Sequence, residues 1–360
     1  MHAYFTRHLL AWNQTDNDRQ MPWKGEKNPY KIWLSEIILQ QTRVDQGLAY
    51  YNRFVQAFPT IKLLANASDT AVFKLWEGLG YYSRCKNLLI TARVISKDLK
   101  GKFPANYEEL LALKGVGPYT AAAIASFAYN LPYAVVDGNV FRVLARFFGM
   151  YDAIDSAAGK KLFTALANSL LDKKKPGEYN QALMDFGAVI CKPKLPQCGI
   201  CPLQNKCIAR QQGTIALLPV KEKSIVKKTR WFYYVVAGYG DGVYVKKRGA
   251  GDIWENLYEF ILIETDAAVD IENIIKQSAL KKITGSNKMA PPFVSPAYRQ
   301  LLTHQVIHGQ FIQINLSRPL ASKDYICTRQ EALKGLPFPK LISSFLKDKN
   351  VSLNLFQQHL

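Results

Sequence analysis

The chain is short of acidic residues. Its 360 residues include 28 aspartates and glutamates against 47 lysines and arginines, a formal net charge of +19. Such an excess of positive charge indicates a polyanionic partner, with nucleic acid the leading candidate and an anionic membrane surface the weaker one. The sequence also lacks an apolar run long enough to span a bilayer and a recognisable N-terminal signal peptide. We therefore expect an intracellular, cytoplasmic protein.

Cysteine is scarce as well, with six residues in the chain. Four of them crowd into one segment with the spacing C-x6-C-x2-C-x5-C: Cys191, Cys198, Cys201 and Cys207. In a reducing compartment such clustering favours metal ligands over disulfides. Four thiolates can hold either a [4Fe–4S] cluster or a structural zinc ion, and the spacing alone does not choose between them. The isolated Cys85 and Cys327 are expected to be ordinary thiols.

The texture of the sequence changes once along the chain. Up to about residue 212 helix signals dominate, beginning with "MHAYFTRHLLAWNQ" and continuing with "NPYKIWLSEIILQQT", where Asn28 is placed as an N-cap and Pro29 at the first helical position. Residues 213–229 form a basic tract with little periodicity. From residue 230 to 360 the pattern favours strands, with a β-hairpin around Gly240-Asp241-Gly242. We predict an all-helical domain over 1–212, a linker over 213–229 and an α+β domain over 230–360.

A glycine-rich turn separates two of the predicted helices, in a hairpin that covers about residues 108–130. In "LKGVGPYTA" the glycines Gly115 and Gly117 allow a sharp turn, after which the backbone N–H groups of the next helix point outward. Such a turn can bind a DNA phosphate, although a plain tight turn would use the same residues.

Two carboxylates stand in contrasting surroundings. Glu36 lies among apolar neighbours in "IWLSEIILQQT", so burial would raise its pKa and suit it to act as a general acid, unless it faces solvent on the narrow polar side. Asp137 precedes Gly138-Asn139 at the start of a helix, where an N-cap carboxylate is held ionised by backbone N–H groups. A neutral acid beside an ionised partner is the arrangement expected for cleavage of a glycosidic bond.

Over roughly residues 20–210 these motifs resemble the helix-hairpin-helix DNA glycosylases, the relatives of endonuclease III and MutY. The cysteine spacing is similar to the iron–sulfur loop of that family, and "LSEIILQQT" and "VVDGNV" resemble the two catalytic motifs of the MutY type. The resemblance implies a six-helix barrel with a [4Fe–4S] cluster held by the four cysteines of the loop 191–207. It also implies that Glu36 protonates an adenine leaving group and that Asp137 stabilises the sugar cation, with Tyr119 and Asn139 completing the catalytic set.

The same resemblance implies a set of DNA contacts. It concerns Gln40, Gln41, Tyr81, Tyr82, Thr303 and His304. The residues themselves add the hairpin glycines Gly115 and Gly117 and the loop lysines Lys192 and Lys194 as phosphate contacts, although the two lysines could equally be solvated side chains of a basic protein. Either Tyr81 or Tyr82, in "GLGYYSR", is the expected wedge between bases. "PWK", ending at Lys24, is similar to a family segment that normally ends in arginine, and the change removes the bidentate guanidinium.

The C-terminal part resembles a MutT-like, or Nudix-like, domain through "GDIWENLYEFILIE". The glutamate-rich helix that would hold magnesium does not follow it, so we expect a lesion-recognition module rather than a hydrolase. Where family members often carry Phe-Ser-His, this chain has Leu302-Thr303-His304, which keeps a hydroxyl and an imidazole. His304 and His308 could equally pack on one face of a strand.

Three functions remain in competition. The first is a monofunctional adenine glycosylase acting on adenine opposite 8-oxoguanine or guanine, the second a glycosylase with lyase activity, and the third a non-catalytic DNA-binding protein. A lyase needs an amine nucleophile, and the position that resembles the lysine of endonuclease III relatives is Tyr119. The prediction is therefore the first: a monomeric, nucleoid-associated base excision repair enzyme whose partners are mispaired double-stranded DNA and downstream repair proteins.

Overall fold

The computed structural model describes residues 1–222, 226–285, 287, 292–320 and 322–348. The chain divides into two compact units, one made of Met1–Asn66 with Lys86–Ser224 and the other of Ala67–Cys85 with Ile225–Leu360. Every strand that the described residues form belongs to the second unit, so the predicted combination of an all-helical part with an α+β part is confirmed. The predicted linker includes residues 223–225, and the predicted second domain includes residues 349–360; both stretches lie outside the described residues.

The chain is helical up to residue 212. The helices are α1 (His2–Thr15), α2 (Pro29–Leu39), α3 (Val44–Ala57), α4 (Ile61–Asn66), α5 (Asp69–Trp76), α6 (Tyr82–Lys97), α7 (Tyr107–Ala112), α8 (Pro118–Tyr129), α9 (Gly138–Phe148), α10 (Ala157–Leu170), α11 (Pro176–Val189) and α12 (Ile208–Gln211). Of these, α5 belongs to the second unit. Short 3₁₀ turns lie at Gln204–Lys206 and Ile215–Leu217.

Local capping fixes where the helices around the candidate site begin. The side chain of Asn28 accepts a hydrogen bond from the Tyr30 N–H and Pro29 opens α2, as predicted. Asp137 caps α9 in the same way. Helix α11 gives a weak periodic signal in the sequence, because it buries Asn180 and Asp185 together with its apolar residues.

The core of the helical unit is an aromatic-rich cluster contributed by α1, α9, α10 and α11. It includes Phe5, Phe147, Phe163, Tyr179 and Phe186, each with at most 2% of its surface exposed. Burying side chains of this size gives about 1.5–3 kcal/mol each relative to exposure, so this cluster supplies much of the free energy that holds α9 and α11 together. Both helices contribute residues to the candidate site.

The predicted hairpin is formed by α7, a turn and α8. Gly115 has a φ of +79°, a conformation that side-chain-bearing residues rarely adopt, and a Cβ at this position would lie 2.7 Å from the Cβ of Asn87. The hydroxyl of Thr91 donates a hydrogen bond of 2.7 Å to the Lys114 carbonyl and holds the turn from beneath. Gly117 is extended instead, at φ −94°, and a Cβ there would meet no atom within 4 Å.

The described residues of the second unit form one eight-stranded sheet. Its strands are β1 (Lys228–Tyr239), β2 (Gly242–Lys247), β3 (Tyr258–Glu259), β4 (Ile261–Thr265), β5 (Phe293–Val294), β6 (Tyr298–Leu301), β7 (Gln305–Asn315) and β8 (Ile326–Arg329). Its remaining helices are α13 (Ile271–Lys276), α14 (Ser278–Thr284), α15 (Gln330–Leu333) and α16 (Lys340–Lys347). The central strand β1 pairs antiparallel with β2 and β4 and parallel with β7. The predicted hairpin is confirmed, since Tyr239 pairs with Gly242 across Gly240-Asp241.

Charged side chains tie the loop before β3 to the sheet. Arg230 of β1 binds Asp252 at 2.7 Å and Glu264 at 2.6 Å, while Arg248 binds Asp252 at 2.9 Å and also contacts Glu259. Both arginines are buried, so the paired carboxylates compensate the cost of removing them from water. Asp252 and Glu259 of "GDIWENLYEF" are therefore engaged in holding the sheet.

Residues 67–85 belong to the strand-rich unit, although they lie within the helical part of the sequence. The Lys74 Nζ donates a hydrogen bond of 2.9 Å to the Leu336 carbonyl, and Glu77 accepts one from Ser343. Lys74 and Glu77 are themselves joined by an ion pair of 2.6 Å. Polar contacts at the C-terminal end of α5 therefore hold it against α16 and the loop that precedes α16.

None of the helices in the described part of the chain combines the length and apolar character needed to cross a bilayer.

The two hairpin glycines are expected to respond differently to substitution. Gly115→Ala forces a Cβ into a left-handed backbone and against Asn87, so it should lower the free energy of unfolding by about 1–2 kcal/mol or more. Gly117→Ser is the matched control, because serine adopts an extended N-cap conformation and the space is open. Thermal or urea unfolding of the two variants checks this. Equal stabilities would contradict the conformational requirement at Gly115.

Candidate active site

A cavity of about 480 Å³ opens in the helical unit and gathers the four predicted catalytic residues with two of the predicted DNA-contacting residues. The predicted residues that line it are Glu36, Gln40, Gln41, Tyr119, Asp137 and Asn139. They come from three places that are far apart in sequence: the end of α2, the first turn of α8 and the N-terminus of α9. The cavity is large enough to accept a flipped nucleobase.

Glu36 is buried, with 6% of its surface exposed, and this confirms that it faces inward from α2. Burial raises the pKa of its carboxyl from the usual 4.5 to about 7; a hydrogen bond from Tyr119 lowers this pKa, and the charge of Asp137 raises it. At neutral pH a large fraction of this side chain is therefore protonated. A carboxyl in this state can give a proton to a group in the cavity.

Tyr119 is the second residue of α8, directly after Pro118. Burial raises the pKa of its phenol well above 10, and the hydrogen bond to Glu36 and the negative charges of Glu36 and Asp137 act in the same direction. Tyr119 is therefore a neutral hydrogen-bond donor to Glu36. It has no amine and no nucleophilic form at physiological pH.

Asp137 caps α9 and is more strongly hydrogen-bonded than Glu36. One carboxylate oxygen accepts from the Val140 N–H at 2.7 Å and the other from the Asn139 side chain at 2.7 Å. Burial nevertheless raises the pKa of Asp137 above 3.8, while these hydrogen bonds and Arg142 lower it. The expectation of opposite environments is thus corrected: burial acts on both carboxyls in the same direction, and the difference lies in the hydrogen bonds that the two accept.

Arg142 connects Asp137, through Asn139, to the cysteine segment. Its guanidinium donates to the Asn139 side chain at 2.8 Å and to the carbonyls of Gly187 at 2.7 Å and Cys191 at 2.7 Å. Since Asn139 in turn donates to Asp137, one continuous chain of hydrogen bonds runs from Cys191 to the Asp137 carboxylate. Arg142 is 8% exposed, so these bonds are largely shielded from water.

The four clustered cysteines lie in one region of the helical unit, partly buried, and none of them forms a disulfide. Burial raises the pKa of the Cys201 thiol to about 12, and the other three cysteines add to this effect, which places them close to it. Arg146 anchors the segment by donating to the carbonyls of Lys192 at 2.7 Å and Pro193 at 3.2 Å. Within the described residues, no three histidine, cysteine or acidic side chains form a group that could hold a metal ion as they are placed.

The predicted DNA-contacting residues of the helical unit divide between the cavity and its surface. Gln40 donates to the Thr120 hydroxyl at 3.3 Å, and Gln41 is exposed with a φ of 55°, a strained value at the rim of the cavity. Gly115, Gly117, Lys192 and Lys194 do not line it. Lys194 is exposed, and Lys192 is partly buried.

In the strand-rich unit the two candidate wedge tyrosines differ sharply. Tyr81 is 37% exposed with a φ of 48°, and its hydroxyl hydrogen-bonds that of Thr303. Tyr82 is 8% exposed, and its hydroxyl accepts a hydrogen bond from the Gly78 N–H at 3.1 Å, so it packs inside the loop. His304 is exposed next to Thr303. His308 stacks on Trp231 at 5.2 Å and serves the packing of the sheet.

Residues that the sequence analysis did not single out complete the cavity. Arg19 and Gln181 line it, and both bind the fully buried Asp185, at 2.7 Å and 2.9 Å. Lys24 also binds Asp185, at 3.1 Å, which gives it a structural role in holding the loop before α2. The only available signal was the i, i+4 spacing of Gln181 and Asp185, which places two polar residues on one helix face.

The raised pKa of Glu36 has a consequence for stability. Its carboxyl titrates near 4.5 when unfolded and near 7 when folded, so the stabilisation from its proton is complete below about pH 4.5 and is lost as the pH rises through about 7. Glu36→Gln stays neutral and escapes this loss. Relative to the wild type, the variant should gain about 3 kcal/mol in unfolding free energy between about pH 4 and about pH 8.

Urea unfolding at several pH values measures this difference. The exposed Glu109→Gln variant controls for the loss of one negative charge. In Tyr119→Phe, which lacks the hydrogen bond that lowers the Glu36 pKa, the loss of stability should continue to higher pH. A constant difference between the wild type and Glu36→Gln across this range would contradict the raised pKa.

Comparison with known proteins supplies the family. Residues 34–167 match the family described as "HhH-GPD superfamily base excision DNA repair protein". The adenine DNA glycosylase of Buchnera aphidicola subsp. Schizaphis graminum is 35% identical over 263 residues, which span 72% of this chain and 75% of that protein. The adenine DNA glycosylase of Rattus norvegicus is 42% identical over 228 residues, 60% of this chain and 44% of that protein.

A solved structure supports the same assignment. The structure of a thermostable thymine-DNA glycosylase superposes with a TM-score of 0.54 at 30% identity and covers 59% of this chain and 97% of its own. The residues matched by the family model include Glu36, Tyr119 and Asp137. From these matches we conclude that the chain belongs to the adenine DNA glycosylase family, the DNA-binding base excision repair enzymes of the HhH-GPD superfamily.

Proposed function

We propose that this adenine DNA glycosylase excises adenine paired with 8-oxoguanine or with guanine, by hydrolysis and without cleaving the strand. The observation that carries the proposal is Glu36, a buried carboxyl with a pKa of about 7, coupled to Asp137 in a cavity of about 480 Å³. A proton donor active at neutral pH next to a hydrogen-bonded carboxylate suits cleavage of an N-glycosidic bond.

Glu36 acts as the general acid. It protonates a ring nitrogen of the flipped adenine, so the base leaves as a neutral molecule when the bond to the sugar breaks. The carboxylate that remains accepts a proton from the incoming water, which returns Glu36 to its starting state. Tyr119 holds the Glu36 side chain by its hydrogen bond throughout. This bond lowers the Glu36 pKa, against the effect of burial, which raises it to about 7. Gln181 and Arg19, on the cavity wall, contact the edge of the base.

Asp137 stabilises the positive charge that develops on the sugar, either through space or by a transient bond. Its hydrogen bonds from Val140 and Asn139 favour the ionised form that this role needs. They also fix the direction of the carboxylate before the substrate arrives, so its reorganisation costs little in the transition state.

The composition of the cavity supports hydrolysis without lyase activity. Lyase chemistry requires an amine that forms a Schiff base with the opened sugar. Among the described residues that line the cavity there is no lysine, and the position that would carry one is Tyr119. Lys24, the lysine nearest in sequence to the lining residues Arg19 and Trp23, is engaged with Asp185.

Backbone and cationic groups of the helical unit hold the DNA strand. The N–H groups of Gly117 and Tyr119, at the N-terminus of α8, bind a phosphate, because the space around Gly117 is open; Pro118 has no N–H, and the Val116 N–H is donated to the Leu113 carbonyl. Lys192 and Lys194 contribute further phosphate contacts. Gln40 and Gln41 lie at the cavity and fill the space that the flipped base leaves in the helix.

The strand-rich unit reads the base opposite adenine. Tyr81 presents an exposed ring that can insert between bases, and its hydroxyl contacts Thr303 in the same unit. Thr303 and the exposed His304 offer a hydroxyl and an imidazole, groups that can accept a hydrogen bond from the extra N–H of 8-oxoguanine or donate one to its extra carbonyl, both of which guanine lacks.

The four clustered cysteines are proposed as the ligands of a [4Fe–4S] cluster. The donor set fits: Cys191, Cys198, Cys201 and Cys207 share one partly buried region, and Arg142 and Arg146 add positive charge beside Cys191. When bound, such a cluster supplies iron–thiolate bonds that cross-link the segment after α11. Because Arg142 donates to both the Cys191 carbonyl and the Asn139 side chain, an ordered cysteine segment helps to fix the positions of Asn139 and Asp137.

Product analysis tests the proposed reaction. A duplex with adenine opposite 8-oxoguanine should yield free adenine and an intact strand carrying an abasic site, and borohydride should trap no covalent complex. Glu36→Gln should lower the excision rate by at least about 100-fold, because general acid catalysis contributes that much, while DNA affinity persists. Strand cleavage without heat or alkali would contradict the absence of lyase activity.

Parallel duplexes with adenine opposite guanine, cytosine and thymine test the preference for the opposite base. Thr303→Val removes the hydroxyl at nearly constant volume and should reduce the preference for 8-oxoguanine over guanine. An unchanged preference in this variant would contradict the role given to Thr303.

Metal analysis tests the cluster. Purified protein should carry about four iron and four sulfide ions and absorb broadly in the visible range. Cys198→Ser should lose the iron, and its segment should become more sensitive to proteolysis. Cys327→Ser, a cysteine of the strand-rich unit, is the control and should keep the iron. Stoichiometric zinc in place of iron would contradict the assignment.

A further inference from the structure

Asp185 is the most completely buried carboxylate beside the cavity. None of its side chain is exposed, and four groups donate to it: Arg19 at 2.7 Å, Lys24 at 3.1 Å, Gln181 at 2.9 Å and Asn17 at 3.0 Å. Two of these donors, Arg19 and Gln181, line the cavity, whereas Asp185 itself does not. A buried charge with this many partners fixes the positions of the side chains around it.

The contact with Gln181 also fixes which end of the amide faces the base. A carboxylate paired with two cations only accepts hydrogen bonds, so the Gln181 amide must turn its nitrogen toward Asp185. The bond from Gln181 Nε2 to Asp185 Oδ1 has this sense. Because the amide is planar, its oxygen points away from Asp185 and remains available as an acceptor.

An acceptor at this position selects for one kind of purine. Adenine carries an amino group at C6, which donates to the Gln181 oxygen, whereas hypoxanthine and guanine carry a carbonyl there, which would be repelled. If the amide could turn over, its nitrogen would face the base and would favour the carbonyl instead. The preference therefore depends on what holds the amide.

We propose that Asp185 is a positioning residue that sets the specificity for the 6-amino group by locking the orientation of the Gln181 amide. It does not touch the substrate. The same carboxylate holds Arg19 at the cavity wall, so donor and acceptor groups on two different segments are oriented by one side chain. This inference rests on the proposed function, since it assigns Gln181 to the edge of the flipped adenine.

The test compares excision of adenine with excision of hypoxanthine, each placed opposite 8-oxoguanine, under single-turnover conditions. Asparagine at position 185 can donate as well as accept, so Asp185→Asn frees the amide to turn over. The ratio of the adenine rate to the hypoxanthine rate should fall about ten-fold, the worth of one neutral hydrogen bond. Gln181→Met should lower the ratio by a similar factor. The two changes combined should lower it no further, because both remove the same contact.

Asn17→Ala is the matched control, because it removes another donor to Asp185 and leaves the bond to Gln181 in place. Its ratio should equal that of the wild type. If Asp185→Asn does not fold, Lys24→Met is added to it, so that a partly buried cation is not left without its partner.

The outcomes separate the two proposals. Release of adenine by the wild type, with an unchanged ratio in Asp185→Asn or with effects that add to those of Gln181→Met, would overturn the role of Asp185 alone. In that case the residue would only support the loop. No release of adenine by the wild type from this duplex would overturn the proposed function and this inference with it.

Discussion

The removal of Glu36 from water is the constraint on which the candidate site depends. Removing an ionised carboxyl group from water costs free energy, and α2 imposes this cost by placing Glu36 among buried apolar neighbours. The resulting pKa of about 7 turns an ordinary glutamate into a proton donor suited to neutral pH. The stability that this costs must come from elsewhere, and the aromatic cluster of α1, α9, α10 and α11 contributes to it within the helical unit.

Buried polar side chains beside the site fix the orientation of the residues that line it. Asp137 is oriented by Asn139, Asn139 by Arg142, and Arg142 by the carbonyls of Gly187 and Cys191. On the other wall Asp185 orients Gln181 and Arg19. In both cases a buried charged residue outside the cavity lining orients a residue that lines the cavity. The chemistry of the site therefore depends on groups that do not contact the substrate.

Sequence patterns could predict the elements with strong local signals. Asn28 and Pro29 start α2, Asp137 caps α9, and the glycines around Val116 mark the hairpin, because capping and positive φ depend on a few adjacent residues. The burial of Glu36 was left open by periodicity and is decided by packing from other helices. The roles of Arg142, Gln181 and Asp185 could not be read locally, because each depends on partners between 3 and 168 residues away. The raised pKa of Asp137 could not be predicted for a related reason, because an N-cap position in the sequence does not reveal how deeply the side chain is buried.

The membership of residues 67–85 in the strand-rich unit has a consequence for how this chain can evolve. The backbone leaves the helical unit after Asn66, returns to it at Lys86 and leaves it again at Ser224, so the second unit is assembled from two separate stretches of sequence. Recombination that exchanged only the C-terminal stretch would deliver a new Leu336 and Ser343 without the Lys74 and Glu77 that bind them. The two stretches of the second unit therefore cannot be exchanged independently of each other. Substitutions on α5 are expected to co-vary with those near the end of the chain rather than with their neighbours in sequence.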